Sequence, residues 1–340
     1  LSWLTSTNKS IKIPSWLMPT SLHNKGNYII SLGELCQWIS EKAMELGVDI
    51  FPGFPAQKYL TDESGRVIGI ATGDMGIDKE GNQKGTYTPG MDILAKQTIF
   101  AEGARGHLGK KLIKEFNLDE GKTPQHFAIG FKEVWEIDND KHSPGDVIHS
   151  MGWPLKGGTS GGGFLYHFDN NRVAVGLIVD LNYSNPSHSP FQEFQQFKQH
   201  PSIKQYLESG KRVSYGARAI TKGGINSLVK MEFDGGMIVG CDAGTLNPSK
   251  IKGSHCALQS GILAAKYINK VLSEENCDFD DLFKSSALYK ELYESRNFSA
   301  AMHKFGFYLG AAYNFIESNI FRNKLPFTIK DENRTCASFP

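Results

Sequence analysis

The stretch GCDAGTLNPSKIKGSHCALQSGILAA, residues 240–265, follows the apolar run Met237-Ile238-Val239. The pattern predicts a strand within 237–243 that runs into a turn, then a long helix rich in small residues from about Ser254 to Leu272. Gly240, Asp242, Ala243 and Gly244 therefore lie at the carboxyl edge of the strand. Small residues there let a bulky ligand approach the main chain, and the following helix points free N–H groups toward it. Pro248 stiffens the loop, Gly253 frees the helix entry, and Gly261, Ala264 and Ala265 permit close helix–sheet packing.

A second stretch of this kind is TIFAEGARGHLGKKL, residues 98–112. An apolar strand runs into Ala101-Glu102-Gly103-Ala104-Arg105-Gly106, and a helix follows with Leu108 and Leu112 on one face. Two strand–turn–helix units separated by a β-rich region indicate an α/β (α+β) fold.

Elsewhere, three- and four-residue spacing predicts a helix over 27–46, with Gly47 as its stop and a strand at Val48–Phe51. Turn signals divide 57–100 into a β-meander. Residues 125–235 carry further strands, of which Val173–Val179 is the clearest, together with a glycine-rich run at 157–163 and a polar helix over 191–209. The predicted units are 1–56, 57–100, 101–124, 125–235, 236–272 and 273–340.

The 37 basic and 36 acidic side chains give a net charge of +1, which offers nucleic acid no field of one sign. Cys36, Cys241, Cys256, Cys277 and Cys336 are widely spaced and form no CxxC pair, so neither a disulfide framework nor a metal site is expected from them. No apolar run is long enough for a spanning helix. The chain lacks an initiator Met and a GxGxxG dinucleotide turn at a strand–helix junction, so truncation before Leu1 is expected.

The 240–265 pattern resembles the distal FAD-binding motif of the flavoproteins that include aromatic hydroxylases and geranylgeranyl reductases. The strings at 27–56, IFAEGARGHLGK (99–110), GGGFLYH (161–167), NPSHSPFQEFQQFKQHPSI (185–203), GKRVSYGARAI (210–220) and IKGSHCALQSGILAAKYI (251–268) narrow this. They resemble the electron-transfer-flavoprotein:ubiquinone oxidoreductase family across nearly the whole chain. The resemblance implies a glutathione-reductase/hydroxylase-like FAD domain at 1–124 and 236–272, a mainly antiparallel quinone-binding β domain inserted at 125–235, and a helical C-terminal part at 273–340.

By the same resemblance, the acidic residue after the strand, Asp242, meets the ribityl–pyrophosphate part of FAD, and the loop backbone lines its ring. Gly240, Ala243, Gly244, Pro248, Gly253, Glu102 and Gly103 belong to that seat, while Asn247, Lys250 and Ser254 border the ring. A Ser254 hydroxyl could hydrogen-bond the flavin, although the family more often has Thr there. Gly161 and Gly162 fall on the quinone-contacting glycines. Ile11–Pro19 and Phe305–Phe327 match membrane-contacting segments, the latter as a helix lying in the interface. The family's four-iron (4Fe-4S) cluster would have its ligands outside this chain. Electrons would pass from reduced electron transfer flavoprotein to ubiquinone on the matrix face of the mitochondrial inner membrane, or on the bacterial cytoplasmic membrane. No side chain is assigned covalent or general-base chemistry, and His167 and His255 read as structural histidines. An isoprenoid reductase of the geranylgeranyl type and a non-catalytic remnant are the alternatives.

Overall fold

The computed structural model describes residues 1–331 except 15, 17, 19–22, 24–25, 156–158 and 184, and gives only the backbone of Phe307 and Tyr308. Leu17, Pro19, the start of the glycine-rich run and Cys336 lie outside the described residues.

The largest layer is a seven-stranded sheet in the order β13-β9-β12-β11-β10-β1-β2. From the β13 (Lys211–Thr221) edge inward, β9 (Phe127–Glu136), β12 (Arg172–Asp180) and β11 (Gly161–Phe168) are all paired antiparallel. β10 (Val147–Gly152) extends the sheet, and the hairpin β1 (Ser2–Leu4) and β2 (Ser10–Lys12) joins beyond, with β1 parallel to β10. The N-terminal hairpin thus belongs to the large sheet, not to the strands of the two glycine-bearing turns. Successive side chains of β12 point to opposite faces of the sheet, and most on both faces are buried. Leu165, Val175, Leu177 and Val179 form its core with Phe194, Phe197, Ile203 and Leu207. Those four come from α3 (Pro190–Gln199) and α4 (Pro201–Leu207), which replace the single helix expected over 191–209. Pro201 has no N–H to continue a helix and disfavours helical backbone at His200, so the chain stops and restarts there.

The second core surrounds a three-stranded sheet of β14 (Glu232–Phe233), β15 (Gly236–Ile238) and β8 (Thr98–Phe100), in which β15 and β8 run parallel. α2 (Gly109–Glu115), α6 (Ser254–Leu272), α7 (Phe279–Lys284) and α8 (Ala287–Glu294) close around it, burying Leu112, Met237, Ile238, Ala264 and Leu292. β3 (Ala56–Thr61), β4 (Val67–Thr72) and β7 (Asp92–Leu94) form a small sheet, and β5 (Met75–Ile77) pairs with β6 (Gln83–Thr88). The expected meander therefore divides, with its last strand, β8, recruited to β15 instead.

α1 (Leu32–Glu45) is shorter than expected, starting where the Ser31 hydroxyl caps Glu34 N–H at 3.4 Å. Its apolar stripe, including Trp38 and Ile39, stays exposed among the described residues. Val48–Phe51 forms no strand.

α9 (Phe298–Asn319) folds back on itself. Gly306, at φ 73° and ψ −178°, breaks the helix into two arms. Gly310 packs where a Cβ would lie 2.8 Å from Met302 Cα, and Asn314 Nδ2 donates to Phe298 O at 3.2 Å. Asn297 fastens the open end, donating to Glu317 Oε1 at 2.7 Å and accepting from Ile329 N–H at 2.8 Å. The interfacial helix expected from Phe305 is therefore the second arm of a helical hairpin.

Candidate functional site

The two glycine-bearing turns meet. β8 and β15 are parallel neighbours, so both deliver their following turns to one sheet edge. After β15 the chain makes one short helical turn, α5 (Gly240–Ala243), entered through Gly240 at φ 66° and left through Gly244 at φ 98°. Side chains rarely adopt that left-handed backbone, which accounts for glycine at both ends. Gly240 N–H is held by Ser260 Oγ of α6 at 2.9 Å.

Asp242 is carried into the other turn. Its carboxylate accepts from Gly106 N–H at 3.1 Å and Glu102 N–H at 3.4 Å. A Cβ at Gly106 would lie 2.5 Å from Asp242 Oδ1, and one at Gly109 2.3 Å from it, so both glycines are required by the carboxylate they surround. Glu102 Oε2 accepts from Leu108 and Gly109 N–H at 2.7 and 2.8 Å, which fixes the start of α2. Burial and, second, the neighbouring Glu102 charge push the Asp242 carboxyl up to about 6. Gly103, at φ 85°, has no atom within 4 Å of a Cβ position, so the outer face of this turn is open.

The loop from Asn247 to Gly253 is a closed unit. Asn247 and Lys252 exchange backbone hydrogen bonds of 3.1 and 3.4 Å. Buried Asn247 uses Oδ1 to accept from Ser249 and Lys250 N–H at 2.9 and 3.3 Å, and donates Nδ2 to Glu291 of α8 at 2.9 Å. Ile251, a β-branched residue, is held at φ 56°. Such strain costs of order 1–3 kcal/mol and persists only because the surrounding bonds fix the loop. Lys250 Nζ pairs with Glu291 Oε2 at 2.8 Å and His255 Nε2 with Glu291 Oε1 at 2.7 Å. Burial opposes ionisation of Glu291, but the hydrogen bonds from Lys250, His255 and Asn247 outweigh it and bring its carboxyl down to about 2. Pro248 is buried, and Ser254 is exposed at the first turn of α6, whose N-cap Gly253 supplies no side-chain cap. The first N–H groups of this 19-residue helix therefore lack a side-chain acceptor.

Gly161 and Gly162 open β11, opposite Val179 and Ile178 of β12. Cβ atoms there would lie 2.1 Å from Ile178 O and 2.7 Å from Ser150 O, so close backbone packing alone demands glycine. β13 ends against α5, and β11 is three strands away from it, roughly 14 Å at ordinary strand spacing. His167 is buried in a hydrogen bond with Ser143 N–H and a ring contact with Tyr206.

Residues 127–220, nearly the span from β9 to β13, match the ubiquinone-binding family model "ETF-QO, ubiquinone-binding". The chain is 57% identical over 336 residues to an electron transfer flavoprotein-ubiquinone oxidoreductase of Pseudomonas aeruginosa, covering 97% of this chain and 61% of that protein. Over nearly its whole length the chain is similar to that oxidoreductase. A human relative, the mitochondrial electron transfer flavoprotein-ubiquinone oxidoreductase, is 46% identical over 333 residues, covering 94% of this chain and 54% of that protein. The chain thus spans little more than half the length of these oxidoreductases. A flavoprotein/dehydrogenase from Cytophaga hutchinsonii shares the fold, with a TM-score of 0.57 and 16% identity over 82% of this chain and 63% of that one.

Sequence reasoning did not single out Gly106 and Gly109 as the seat of Asp242, although their spacing of three places both along one edge of the turn. Glu291 was missed because it lies 36 residues beyond His255, with no local pattern tying the two.

Proposed function

We propose that this oxidoreductase segment holds FAD between its two turns and ubiquinone at the Gly161–Gly162 end of the large sheet, within an enzyme that passes electrons from reduced electron transfer flavoprotein to ubiquinone. The observation that carries the reading is the Asp242 carboxylate seated in the 102–109 turn, which joins two distant parts of the sequence into one ligand-facing edge. The residues fit the group. The outer face at Gly103 is open, and the N–H groups at the start of α6 are free of a side-chain cap.

Bound there, FAD would accept electrons singly and deliver two. Glu102, Gly103, Gly240, Asp242, Ala243 and Gly244 would hold its ribityl–pyrophosphate part. Asn247, Pro248, Lys250, Gly253 and Ser254 would border its ring. Asn247 would act through the backbone it orients, and Lys250 through the charge it shares with Glu291, since both polar ends are occupied. Ser254, exposed at the first turn of α6, would donate its hydroxyl. Gly161 and Gly162 would present main chain to the flat quinone head group. The 4Fe-4S cluster of the complete enzyme would take its ligands from outside this chain.

Membrane contact would come through exposed apolar residues along and just beyond the α9 hairpin and through the N-terminal segment. Phe305, Leu309, Ile320, Ile11 and Trp16 are all exposed, and among the described residues no helix is long and apolar enough to cross a membrane. The enzyme would sit on the matrix face of the mitochondrial inner membrane in a eukaryote, or on the cytoplasmic membrane in a bacterium.

The full-length protein is expected to purify with a flavin absorbance that reduced electron transfer flavoprotein bleaches and soluble quinone restores. A colourless full-length protein would contradict the reading.

A further inference from the structure

Outside the flavin seat, three side chains from distant parts of the chain converge at one end of the large sheet. His126 stands immediately before β9, His303 lies on the first arm of α9, and Asp331 belongs to the segment beyond that hairpin. His126 Nε2 is 3.0 Å and His303 Nδ1 2.9 Å from the same oxygen, Asp331 Oδ2. One ring nitrogen from each histidine and a carboxylate oxygen all lie within 4.8 Å of one another. The three side chains are only 8–13% exposed, so they are shielded from water without being sealed from an arriving ion.

Each of the three is held by bonds that do not depend on the others. His126 O accepts from Lys222 N–H at 2.9 Å, just past the end of β13. His303 is carried on helical backbone. Ile329, two residues before Asp331, is buried and donates its N–H to Asn297 Oδ1 at 2.8 Å. The set is therefore pre-positioned by the fold, as a binding site requires.

Its chemistry suits a borderline divalent ion. Two imidazoles and a carboxylate are the ligands of zinc and its first-row neighbours, whereas magnesium and calcium take oxygen ligands. At zinc bonds of roughly 2.0–2.1 Å, tetrahedral neighbours stand about 3.3 Å apart, so the two N···O gaps need open by only about 0.3–0.4 Å. His303 bears a second mark of a metal ligand. Its Nε2, on the far side of the ring, is buried without a hydrogen-bond partner and faces Asp180 Oδ2 at 3.5 Å. An imidazole that gives its Nδ1 lone pair to a cation carries its proton on Nε2, where a carboxylate behind the ring fixes that tautomer. Asp180 is itself anchored by Lys222 Nζ at 2.7 Å. A neutral His303 donating from Nδ1 to Asp331 would instead turn an Nε2 lone pair on Asp180. A proton on His303 also removes that conflict and is the ion's competitor. The proton does not call for a second imidazole on the same carboxylate oxygen; the ion does.

We propose that His126 Nε2, His303 Nδ1 and the Asp331 carboxylate bind one divalent transition-metal ion of zinc's class, with Asp180 orienting His303 from behind. Three protein ligands leave the fourth position to water. The set holds no thiolate, which separates it from iron–sulfur ligation. The ion clips the first arm of α9 and the segment that carries Asp331 to the end of the large sheet.

The test is calorimetric titration of the chelator-washed full-length protein with Zn²⁺. One ion per chain is expected, and bound zinc should raise the urea midpoint of the wild type. His303→Gln and Asp331→Asn are expected to lose stoichiometric zinc, and Asp180→Asn to bind it about 10–100-fold more weakly. Asn at 331 still offers an oxygen acceptor, so a merely structural hydrogen bond survives that change while the anionic ligand does not. Cys256→Ser controls for the other close group, His255, Cys256 and Glu291, and should bind zinc as the wild type does. Zinc should also slow hydrogen exchange over 300–304 and 329–331 in the wild type and not in Asp331→Asn. No stoichiometric zinc in the wild type, undiminished binding in Asp331→Asn, or binding lost in Cys256→Ser would overturn the proposal.

Discussion

Replacing Gly109 by Ala isolates the contact between the two turns. Gly109 is the first residue of α2, where Ala is by itself the better helix former by about 1 kcal/mol. The added Cβ would lie 2.3 Å from Asp242 Oδ1 and 2.5 Å from Oδ2. The carboxylate must retreat by roughly 1 Å to reach ordinary contact. Overpacking of this kind costs about 1–3 kcal/mol, and loss of the charged hydrogen bond from Gly106 about 1.5–3 more. After the helix gain, about 1.5–5 kcal/mol of net destabilisation is expected in urea unfolding. Flavin retention, followed by fluorescence of the dialysate, should fall tenfold or more, since about 1.4 kcal/mol is a factor of ten. On an Asp242→Ala background the obstruction is gone, so Gly109→Ala should there be neutral or slightly stabilising. An equal cost on both backgrounds, or no cost on either, would refute the seating of Asp242 in this turn.

Three further outcomes follow from the same geometry. Lys198→Met should destabilise by about 3 kcal/mol in urea unfolding, because it strips buried Glu133 of a partner at 2.9 Å and leaves only Arg212 and the Trp135 N–H. Glu291→Gln should speed hydrogen exchange across 247–255 at neutral pH; in the wild type, with the Glu291 carboxyl lowered to about 2, loop protection should be full above the ordinary value of 4.5 and lost as pH falls toward about 2. Combined Leu309→Glu and Ile320→Glu, at positions 70% and 65% exposed, should leave unfolding unchanged yet reduce co-sedimentation with lipid vesicles more than a hundredfold, at about 1.5–3 kcal/mol for each side chain withdrawn from lipid.

The glycine-and-small-residue turns were legible because their constraints are local: a left-handed backbone at Gly240 and Gly244, and a helix beginning at Ser254. The start of α6 follows from such patterns, whereas a mainly antiparallel sheet over 125–235 was expected only from the family resemblance. The fold-back of α9 was not legible. Periodicity is the same in one bent helix as in two arms, and only the contacts of Gly310 and Asn297 reveal the reversal. The strand expected at Val48–Phe51 failed because β-branched composition cannot supply a pairing partner. Charge clusters such as Asp180–His303–Asp331 join residues more than a hundred positions apart, which no window along the chain can see.

The proposed flavin seat joins the 101–109 and 240–254 turns beside the large sheet. A crystal structure of the full-length holoprotein tests it most directly. The FAD ribityl chain is expected within hydrogen-bond distance of the Asp242 turn, with the ring against 247–254. A flavin bound elsewhere, with these turns facing only solvent or protein, would contradict it.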